Sequence, residues 1–370
     1  MFVPFLDLKR ESERYHAEFD EAISRVLRKG CYILGPELEA LEADFAEYLG
    51  VPFAAGVASG TDALALALQA SGAIEPGAGQ EVITTVLSAA FTALAIWRAG
   101  AVPRFADVDP LTLQIDPDQV ESLIGERTRA ILPVHLYGNS CDIVRINHLG
   151  QKHHLSVIED ACQAHGSRLN GAALGSFGCA AAFSFYPTKN LGGLGDGGMV
   201  VTGDREICAR VKKLRHGGQG RTYHHELLGY NSRLDEIQCA VLRFKLRQLD
   251  AWNGKRGEQA AWYDRAIADL ELRSLPGMPG HLPNRHLYPV STARRDDLRS
   301  HLLERGIQTL VHYPVPLHEQ PALKRFVLPG QEFPAAEKAS GEIVSLPLYP
   351  ELTEAEIQHT VRALRSFFGK

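Results

Sequence analysis

The stretch Phe183-Ser184-Phe185-Tyr186-Pro187-Thr188-Lys189-Asn190 joins a short apolar run to a glycine-rich loop, and it decides the fold of this chain. A second apolar run ends in Val157-Ile158-Glu159-Asp160, with Gln163 just beyond. Both runs are typical of buried strands, and open α/β sheets bind their ligands beyond the carboxyl ends of such strands. The sequence therefore predicts that Lys189 and Asp160 lie together at one edge of a sheet.

A lysine amine beside a carboxylate is the pair of groups that pyridoxal phosphate requires. The amine forms a Schiff base, and the carboxylate keeps the pyridine nitrogen protonated so that the ring withdraws electrons. We therefore predict Lys189 as the Schiff-base lysine and general base, and Asp160 as the partner of the ring nitrogen. Each residue alone would be an ordinary loop lysine or a strand-end cap, so the prediction also requires a phosphate site.

A phosphate site is predicted at Ser59-Gly60-Thr61-Asp62, directly ahead of an apolar helix predicted over Ala63–Ala70. Glycine permits a close approach of the backbone, and the first amide groups and the dipole of a helix attract a phosphate. The hydroxyl of Ser184 is a further candidate ligand. Taken alone, Ser59-Gly60-Thr61-Asp62 is also a good helix N-cap. Its assignment to a phosphate site therefore depends on the presence of Lys189 and Asp160.

A further polar segment, Gly229-Tyr230-Asn231-Ser232-Arg233, precedes a helix predicted from about Leu234 to Leu249, and it either completes a phosphate site or caps that helix. Together these strings resemble the DegT/DnrJ/EryC1/StrS family of sugar aminotransferases, pyridoxal phosphate enzymes of fold type I. The resemblance extends over almost the whole chain. Its strings include Gly30–Gly35, Ala58–Leu64, Val134–Gly138, Ile158–Gly166, the lysine octet and Asn231–Glu236.

This resemblance implies the cofactor pyridoxal 5'-phosphate and an obligate homodimer in which each active site takes residues from both subunits. The implied positions are Lys189 for the Schiff base, Asp160 for the ring nitrogen, Gln163 for the ring hydroxyl, Gly60, Thr61 and Ser184 for the phosphate, and Asn231 for the phosphate of the other subunit.

One stretch departs from the family pattern, in which an aromatic residue of a T-[FWY]-x-x-T string stacks on the cofactor ring. Here it reads Ser88-Ala89-Ala90-Phe91-Thr92, and Ala89 cannot stack. Either Phe91, a residue from elsewhere or only smaller groups cover that face. A related class carries histidine in place of the lysine and dehydrates sugars, and Lys189 separates this chain from it.

The substrate is indicated by the loop Val311–Pro321, in which prolines fix an extended backbone that projects His312 and Tyr313. Without the family this loop would be an unremarkable turn. With it, the loop resembles members that act on nucleotide-linked 3-keto-6-deoxyhexoses. That resemblance also places Tyr186, Tyr223 and Tyr32 around the sugar and the diphosphate.

Alternating helical and strand patterns over the first two-thirds of the chain predict an α/β fold with a mostly parallel, seven-stranded type of sheet. We predict a large domain over residues 1–250, which includes the N-terminal segment, and a smaller C-terminal α/β domain over 251–370. The predicted helices are Glu11–Lys29, Pro36–Leu49 and Thr353–Phe368, and the predicted strands are Glu81–Val86, Val102–Ala106, Ala130–His135, Leu155–Glu159, Cys179–Ser184, Met199–Thr202, Leu287–Ser291 and Ile307–Val311.

Composition excludes other classes of partner. The chain has 370 residues, 45% of them hydrophobic, and a net charge of -5 without a basic stripe, so nucleic acid is not an expected partner. Charges within Met1–Arg10 exclude a secretory signal and a membrane span. Six scattered cysteines indicate reduced thiols and a cytoplasmic location. The histidines have no metal-ligand spacing, so no metal is expected.

The sequence thus predicts an aminotransferase that moves an amino group, most simply from L-glutamate, to a keto carbon of a nucleotide-linked sugar. The C3 carbon of a dTDP-3-keto-6-deoxyhexose is the first choice, because of the His312-Tyr313 loop. The alternative within the family is C4 amination of a dTDP- or UDP-linked 4-keto-6-deoxyhexose. The alternative from another class is a non-catalytic regulatory protein on the same fold.

Overall fold

The computed structural model describes residues 1–370, and its centre is a seven-stranded sheet. The strand order is β1-β9-β8-β5-β4-β2-β3, and β9 alone runs against the other six. The strands are β1 (Phe53–Val57), β2 (Glu81–Thr85), β3 (Val102–Ala106), β4 (Thr128–Leu132), β5 (Ser156–Asp160), β6 (Arg168–Leu169), β7 (Ala172–Ala173), β8 (Ala180–Ser184), β9 (Gly198–Thr202), β10 (Gln219–Arg221), β11 (His224–His225), β12 (Arg273–Ser274), β13 (His281–Leu282), β14 (Tyr288–Ser291) and β15 (Ile343–Leu346).

Helices cover both faces of this sheet, as expected for parallel strands whose two faces are buried. None of the helices is both long enough and apolar enough to span a membrane. They are α1 (Leu8–Arg14), α2 (His16–Lys29), α3 (Pro36–Leu49), α4 (Gly60–Ala70), α5 (Ala90–Arg98), α6 (Pro117–Leu123), α7 (Ile143–His153), α8 (Arg205–Leu214), α9 (Glu236–Leu246), α10 (Leu249–Ile267), α11 (Arg295–Glu304), α12 (Pro334–Glu342) and α13 (Glu354–Phe367).

Alternating residues of the central strands feed two separate cores. On β2, Ile83 packs on the side of α3 and α9, whereas Val82 packs on the side of α4 and α8. The same alternation divides Val200 from Val201 on β9. Each strand is therefore anchored from both sides, which fixes where its carboxyl end lies.

A third core lies in the C-terminal part of the chain, around the antiparallel sheet β12-β14-β15 with α10, α11 and α13. Val3 belongs to this core too: its N–H donates to the Gly306 carbonyl at 2.8 Å, and its carbonyl accepts from the Gln308 N–H at 2.9 Å. The first residues thus pack with the last third of the chain. The division into residues 1–250 and 251–370 stays a prediction.

The predicted α/β fold with its mostly parallel sheet is confirmed, and three predicted elements need correction. The helix predicted over Glu11–Lys29 breaks at Tyr15, whose ring turns inward onto Trp252 and Phe244. The helix predicted to reach Leu249 ends at Leu246, before α10 begins. The strand predicted over Ile307–Val311 is wrong, because its two ends pair with different neighbours through isolated bridges.

Candidate active site

The carboxyl ends of β5 and β8 open into a cleft of about 1730 Å³. Asp160 ends β5 and Ser184 ends β8, and these two strands are parallel neighbours in the sheet. The loop after β8 carries Lys189 into the same cleft. Sequence-predicted residues that line it are Gly60, Thr61, Asp160, Gln163, Ser184, Tyr186, Lys189, His312 and Tyr313.

Asp160 is buried and held on both carboxylate oxygens. Thr92 donates its hydroxyl to Oδ2 at 2.8 Å, and the Cys162 N–H donates to Oδ1 at 3.2 Å. Thr92 lies in the first turn of α5, so this helix and the backbone that follows β5 fix the carboxylate together. Two hydrogen bonds therefore fix the orientation of a carboxylate that lines the cleft.

Glu159, the residue before Asp160, faces away from the cleft and secures the strand from behind. Its carboxylate lies 2.8 Å from His135 Nε2 and accepts backbone N–H groups from Gly175, Phe177 and Gly178 at 2.7 to 2.8 Å. Both side chains of the His135–Glu159 pair are fully buried, and the nearby Cys141 and Glu159 hold the pKa of His135 up at about 10 against burial. The end of β5 is consequently rigid.

Lys189 follows a tight turn in which its N–H donates to the Tyr186 carbonyl at 2.9 Å. Burial lowers the pKa of the Lys189 ammonium, while the nearby Cys162 and Asp160 oppose that shift. A lowered pKa leaves more of the amine unprotonated, which is the form that attacks a carbonyl carbon. Lys189 thus has the chemical character of a nucleophile.

The predicted phosphate site is the start of α4. Ser59 is its N-cap, and its hydroxyl accepts the Asp62 N–H at 3.1 Å. A Cβ on Gly60 would lie 2.6 Å from Ser184 Cβ and 2.9 Å from Cys162 Sγ, so only glycine fits there. The unpaired first amides of α4, the bare Gly60 and the Ser184 side chain fit a phosphate group.

Gly60→Ala is expected to weaken the binding of pyridoxal phosphate by about tenfold or more, because overpacking of about 1–3 kcal/mol must push Ser184 out of the phosphate site. A spectrophotometric titration of the purified protein measures the dissociation constant. Gly254→Ala is the matched control, since a Cβ there meets no atom within 4 Å. Wild-type affinity in Gly60→Ala would place the phosphate elsewhere.

Gln163 joins the cleft to the predicted substrate loop. Its Oε1 accepts the Tyr137 N–H at 2.6 Å, and its Nε2 donates to the Tyr313 hydroxyl at 3.1 Å. The Tyr137 hydroxyl in turn donates to the His312 carbonyl. Burial raises the pKa of Tyr313 to about 12, so its hydroxyl stays protonated and can donate or accept.

Two neutral histidines stand in the same cleft. Burial lowers the pKa of His312 to about 4, and its Nδ1 lies 2.9 Å from the Ser345 hydroxyl. Burial also lowers the pKa of His286 well below its usual range, and its Nδ1 lies 3.0 Å from Asn190 Oδ1. Both rings are therefore hydrogen-bonding groups rather than cations near neutral pH.

Three predicted residues lie outside the cleft of their own chain. Tyr32 is 49% exposed and Tyr223 is 91% exposed, the latter at the tip of the β10–β11 hairpin. Asn231 is also exposed and pairs only through an isolated bridge to His216. Within one chain these side chains meet neither Lys189 nor Asp160.

Sequence reasoning missed several residues that the fold brings to the cleft. In the sequence, Thr92 is only the last residue of the Ser88–Thr92 string, whose aromatic position was the point of interest. In the structure, that string leads into α5. Arg256 and His286 also line the cleft. No local pattern singles them out, because α10 and the segment before β14 bring them there only through tertiary packing. Ala89 and Phe91 both line the cleft as well, so coverage of the cofactor ring by Phe91 stays one of the predictions.

Comparisons with known proteins agree with this geometry. A dTDP-3-amino-3,4,6-trideoxy-alpha-D-glucose transaminase from Streptomyces venezuelae is 47% identical over 366 residues, which cover 99% of this chain and 96% of that protein. The crystal structure of S. venezuelae DesV in complex with a ketimine intermediate has a TM-score of 0.96 and 47% identity, with 100% of this chain and 99% of that one covered. A protein named pleiotropic regulatory protein from Geobacillus stearothermophilus is 43% identical over 372 residues, 100% of this chain and 99% of that protein.

A family model provides the assignment. The DegT/DnrJ/EryC1/StrS aminotransferase model matches residues 13–365, almost the whole chain. The family resemblance predicted from the sequence is thereby confirmed, together with the fold it implied. The chain belongs to the DegT/DnrJ/EryC1/StrS aminotransferase family.

Proposed function

We propose that this protein is a pyridoxal phosphate-dependent aminotransferase that places an amino group on C3 of a dTDP-linked 3-keto-6-deoxyhexose. The observation that carries the proposal is the convergence of Lys189, Asp160 and the start of α4 on one cleft. These three elements match the carbonyl carbon, the ring nitrogen and the phosphate of the cofactor. Family membership and the 47% identical dTDP-sugar transaminase support the same reaction class.

When bound, pyridoxal phosphate supplies a protonated ring that withdraws electrons from the substrate carbon. The chain's own groups do the rest. The Lys189 amine, with its pKa lowered by burial, takes and returns the proton as general base. Asp160, oriented by Thr92, would hold the positive charge on the ring nitrogen, and Gln163, which lines the same cleft, would meet the ring hydroxyl.

L-glutamate is the proposed amino donor, and the acceptor sugar is proposed to lie against the His312-Tyr313 loop. This loop is fixed from three sides: His312 by Ser345 and Tyr137, and Tyr313 by Gln163. A fixed loop orients the sugar without losing much conformational entropy on binding. The names of relatives that aminate C3 of dTDP-sugars favour the C3 carbon over the C4 alternative.

Incubation with a dTDP-3-keto-6-deoxyhexose is expected to yield a C3 amine, whereas the 4-keto isomer should react at least about a hundredfold more slowly. A misplacement of the reacting carbon by about 1 Å has an effect of that size. Proton NMR of the two product mixtures identifies the aminated carbon. Efficient amination of the 4-keto sugar alone would refute the C3 assignment and leave the aminotransferase assignment intact.

The active form is proposed to be a homodimer whose subunits exchange Asn231, Tyr223 and Tyr32. All three are exposed and lie outside the cleft of their own chain, which supports their use by a partner. A two-fold interface would exchange them reciprocally, so each cleft would gain the partner's side chains. The Tyr186 hydroxyl, in contrast, is available within the same cleft.

Mixing a Lys189→Ala chain with an Asn231→Ala chain is expected to restore transamination in the mixed dimer. Each variant alone is inactive or strongly impaired, but one cleft of the mixed dimer then has an intact lysine and an intact partner asparagine. Activity assays before and after subunit exchange measure the recovery. The shared-site proposal fails if Asn231→Ala is fully active on its own, or if light scattering finds an active monomer.

A second candidate function is a non-catalytic regulator on the same fold, which the name of one 43% identical relative favours. Lys189, Asp160 and the phosphate site together speak for catalysis, since a regulator needs none of them. A purified protein without a visible absorbance band after addition of pyridoxal phosphate would favour the regulator.

A cytoplasmic location is proposed as well, supported by six cysteines that are all free.

A further inference from the structure

One short segment, Tyr230–Glu236, connects the phosphate site of a chain with residues proposed to serve the other chain. It runs between the β10–β11 hairpin and α9, and it carries the exposed Asn231. On either side of Asn231 its side chains turn inward and are held by buried polar groups. We refer to Tyr230–Glu236 as the connecting segment.

Its first link is the hydroxyl of Ser232, which is fully buried. This hydroxyl donates to Asp62 Oδ2 at 2.5 Å and accepts the Ala58 N–H at 3.2 Å. Ala58 and Asp62 flank the string Ser59-Gly60-Thr61 on both sides. The one hydroxyl next to Asn231 therefore bridges the two ends of the phosphate site of its own chain.

A second link runs through Tyr230 on the other side of Asn231. Its hydroxyl accepts from Gln69 Nε2 at 2.8 Å, and its ring lies 5.3 Å below the guanidinium of Arg98. Arg98 itself forms an ion pair with Asp62 Oδ1 at 2.6 Å. Asp62 thus contacts Ser232 directly and is connected to Tyr230 through Arg98.

The far end of the connecting segment holds the loop of Tyr32. The Glu236 N–H donates to the Tyr32 carbonyl at 3.0 Å, and the Glu236 carboxylate accepts N–H groups of Gly35, Glu37 and Leu38 at the start of α3. Ile33 also pairs with Asp235 through an isolated bridge. Tyr32 and Asn231, both proposed for the partner's site, are consequently held by the two ends of the same connecting segment.

We propose that Ser232 is a positioning residue for the active site of the other subunit, through its link from Asp62 to the connecting segment. This inference rests on the proposed homodimer. The hydroxyl holds Asn231 in register with the phosphate site of its own chain, so the two cofactor sites of a dimer share one polar network. Because Ser232 is fully buried and does not line the cleft of its own chain, its proposed effect on the partner passes through the position of Asn231.

Mixed dimers with a single intact Lys189 test the direction of this effect. In the first, the chain with Lys189→Ala also carries Ser232→Ala, and the chain with Lys189 is otherwise wild type. In the second, Ser232→Ala is on the chain that keeps Lys189. The readout is the pyridoxal phosphate concentration that half-saturates the visible band of the lysine-bound cofactor, which only the intact Lys189 produces.

The first mixed dimer is expected to need about tenfold more cofactor for half-saturation than a reference dimer with Lys189→Ala alone. This is the size of effect expected when one hydrogen bond to a charged group is lost. An unchanged value in the first mixed dimer overturns the proposal. A shift in the second mixed dimer alone means that Ser232 acts only on the cofactor site of its own chain. Ser71→Ala on the Lys189→Ala chain is the matched control. Its hydroxyl bridges two backbone groups at the opposite end of α4, whereas that of Ser232 bridges a backbone N–H and a carboxylate, and the change is expected to leave the value unchanged.

A replacement variant and a further mixed dimer complete the experiment. If Ser232→Ala chains do not fold, Ser232→Cys takes their place, since it keeps a small side chain at the buried position and replaces the hydroxyl that contacts Asp62 by a weak donor, and the same two outcomes apply. A mixed dimer with Asn231→Ala on the Lys189→Ala chain tests the exchange itself. Normal cofactor affinity there refutes the shared site, whereas weakened affinity there with an unchanged Ser232→Ala dimer refutes only the role of Ser232.

Discussion

Lys189→Ala is expected to reduce transamination by at least about 10⁴-fold, the largest effect of any single change in this chain. The substitution removes the amine that anchors the cofactor and, with it, the general base, whose loss alone accounts for about 10²–10⁴-fold. No other lysine lines the cleft, so no neighbour can replace it. Product formation by NMR and the visible spectrum of the purified protein measure both losses.

A control separates this effect from a general loss of charge. Lys152→Ala removes a surface lysine that pairs with Glu121 far from the cleft, and it should react as the wild type does. Normal turnover of the Lys189→Ala protein would refute the assignment of Lys189, because the reaction would then not need its amine.

Asp160→Asn is expected to bind the cofactor with little change but to lower turnover by about two orders of magnitude or more. The amide keeps the shape and a hydrogen bond to Thr92, while the negative charge that favours a protonated ring nitrogen disappears. A cofactor titration and steady-state kinetics on the same preparation separate the two effects.

Thr92→Val is the matched control for Asp160→Asn. It removes the hydroxyl that orients Asp160 and leaves the carboxylate charge in place, so a much smaller loss of turnover is expected. A near-wild-type rate for Asp160→Asn would mean that another group faces the ring nitrogen.

The positions of Lys189 and Asp160 could be predicted from the sequence because both come after apolar runs that have few structural alternatives. A buried run such as Val157–Glu159 becomes a central strand, and parallel neighbours end at the same edge. Gly60 was predictable for a similar reason, since a glycine between a strand and an apolar helix is a local pattern. Local patterns and parallel strand pairing were thus sufficient to place these three residues in one cleft.

The remaining features depend on tertiary packing. Arg256 and His286 reach the cleft from the C-terminal third of the chain, and no spacing in the sequence relates them to Lys189. The break at Tyr15 arises because its ring is drawn onto Trp252, although the local residues favour one continuous helix. The link from Ser232 to Asp62 likewise joins positions that are 170 residues apart.

The pairing of Val3 with Gly306 and Gln308 has a consequence for the order in which the chain can fold during synthesis. Protein domains generally fold as the ribosome releases them, starting from the N-terminus. Val3 leaves the ribosome about 300 residues before its neighbours Gly306 and Gln308 do. Val3 must therefore wait, unpaired, while the central sheet forms, and the core to which it belongs closes only when Gly306 and Gln308 have emerged.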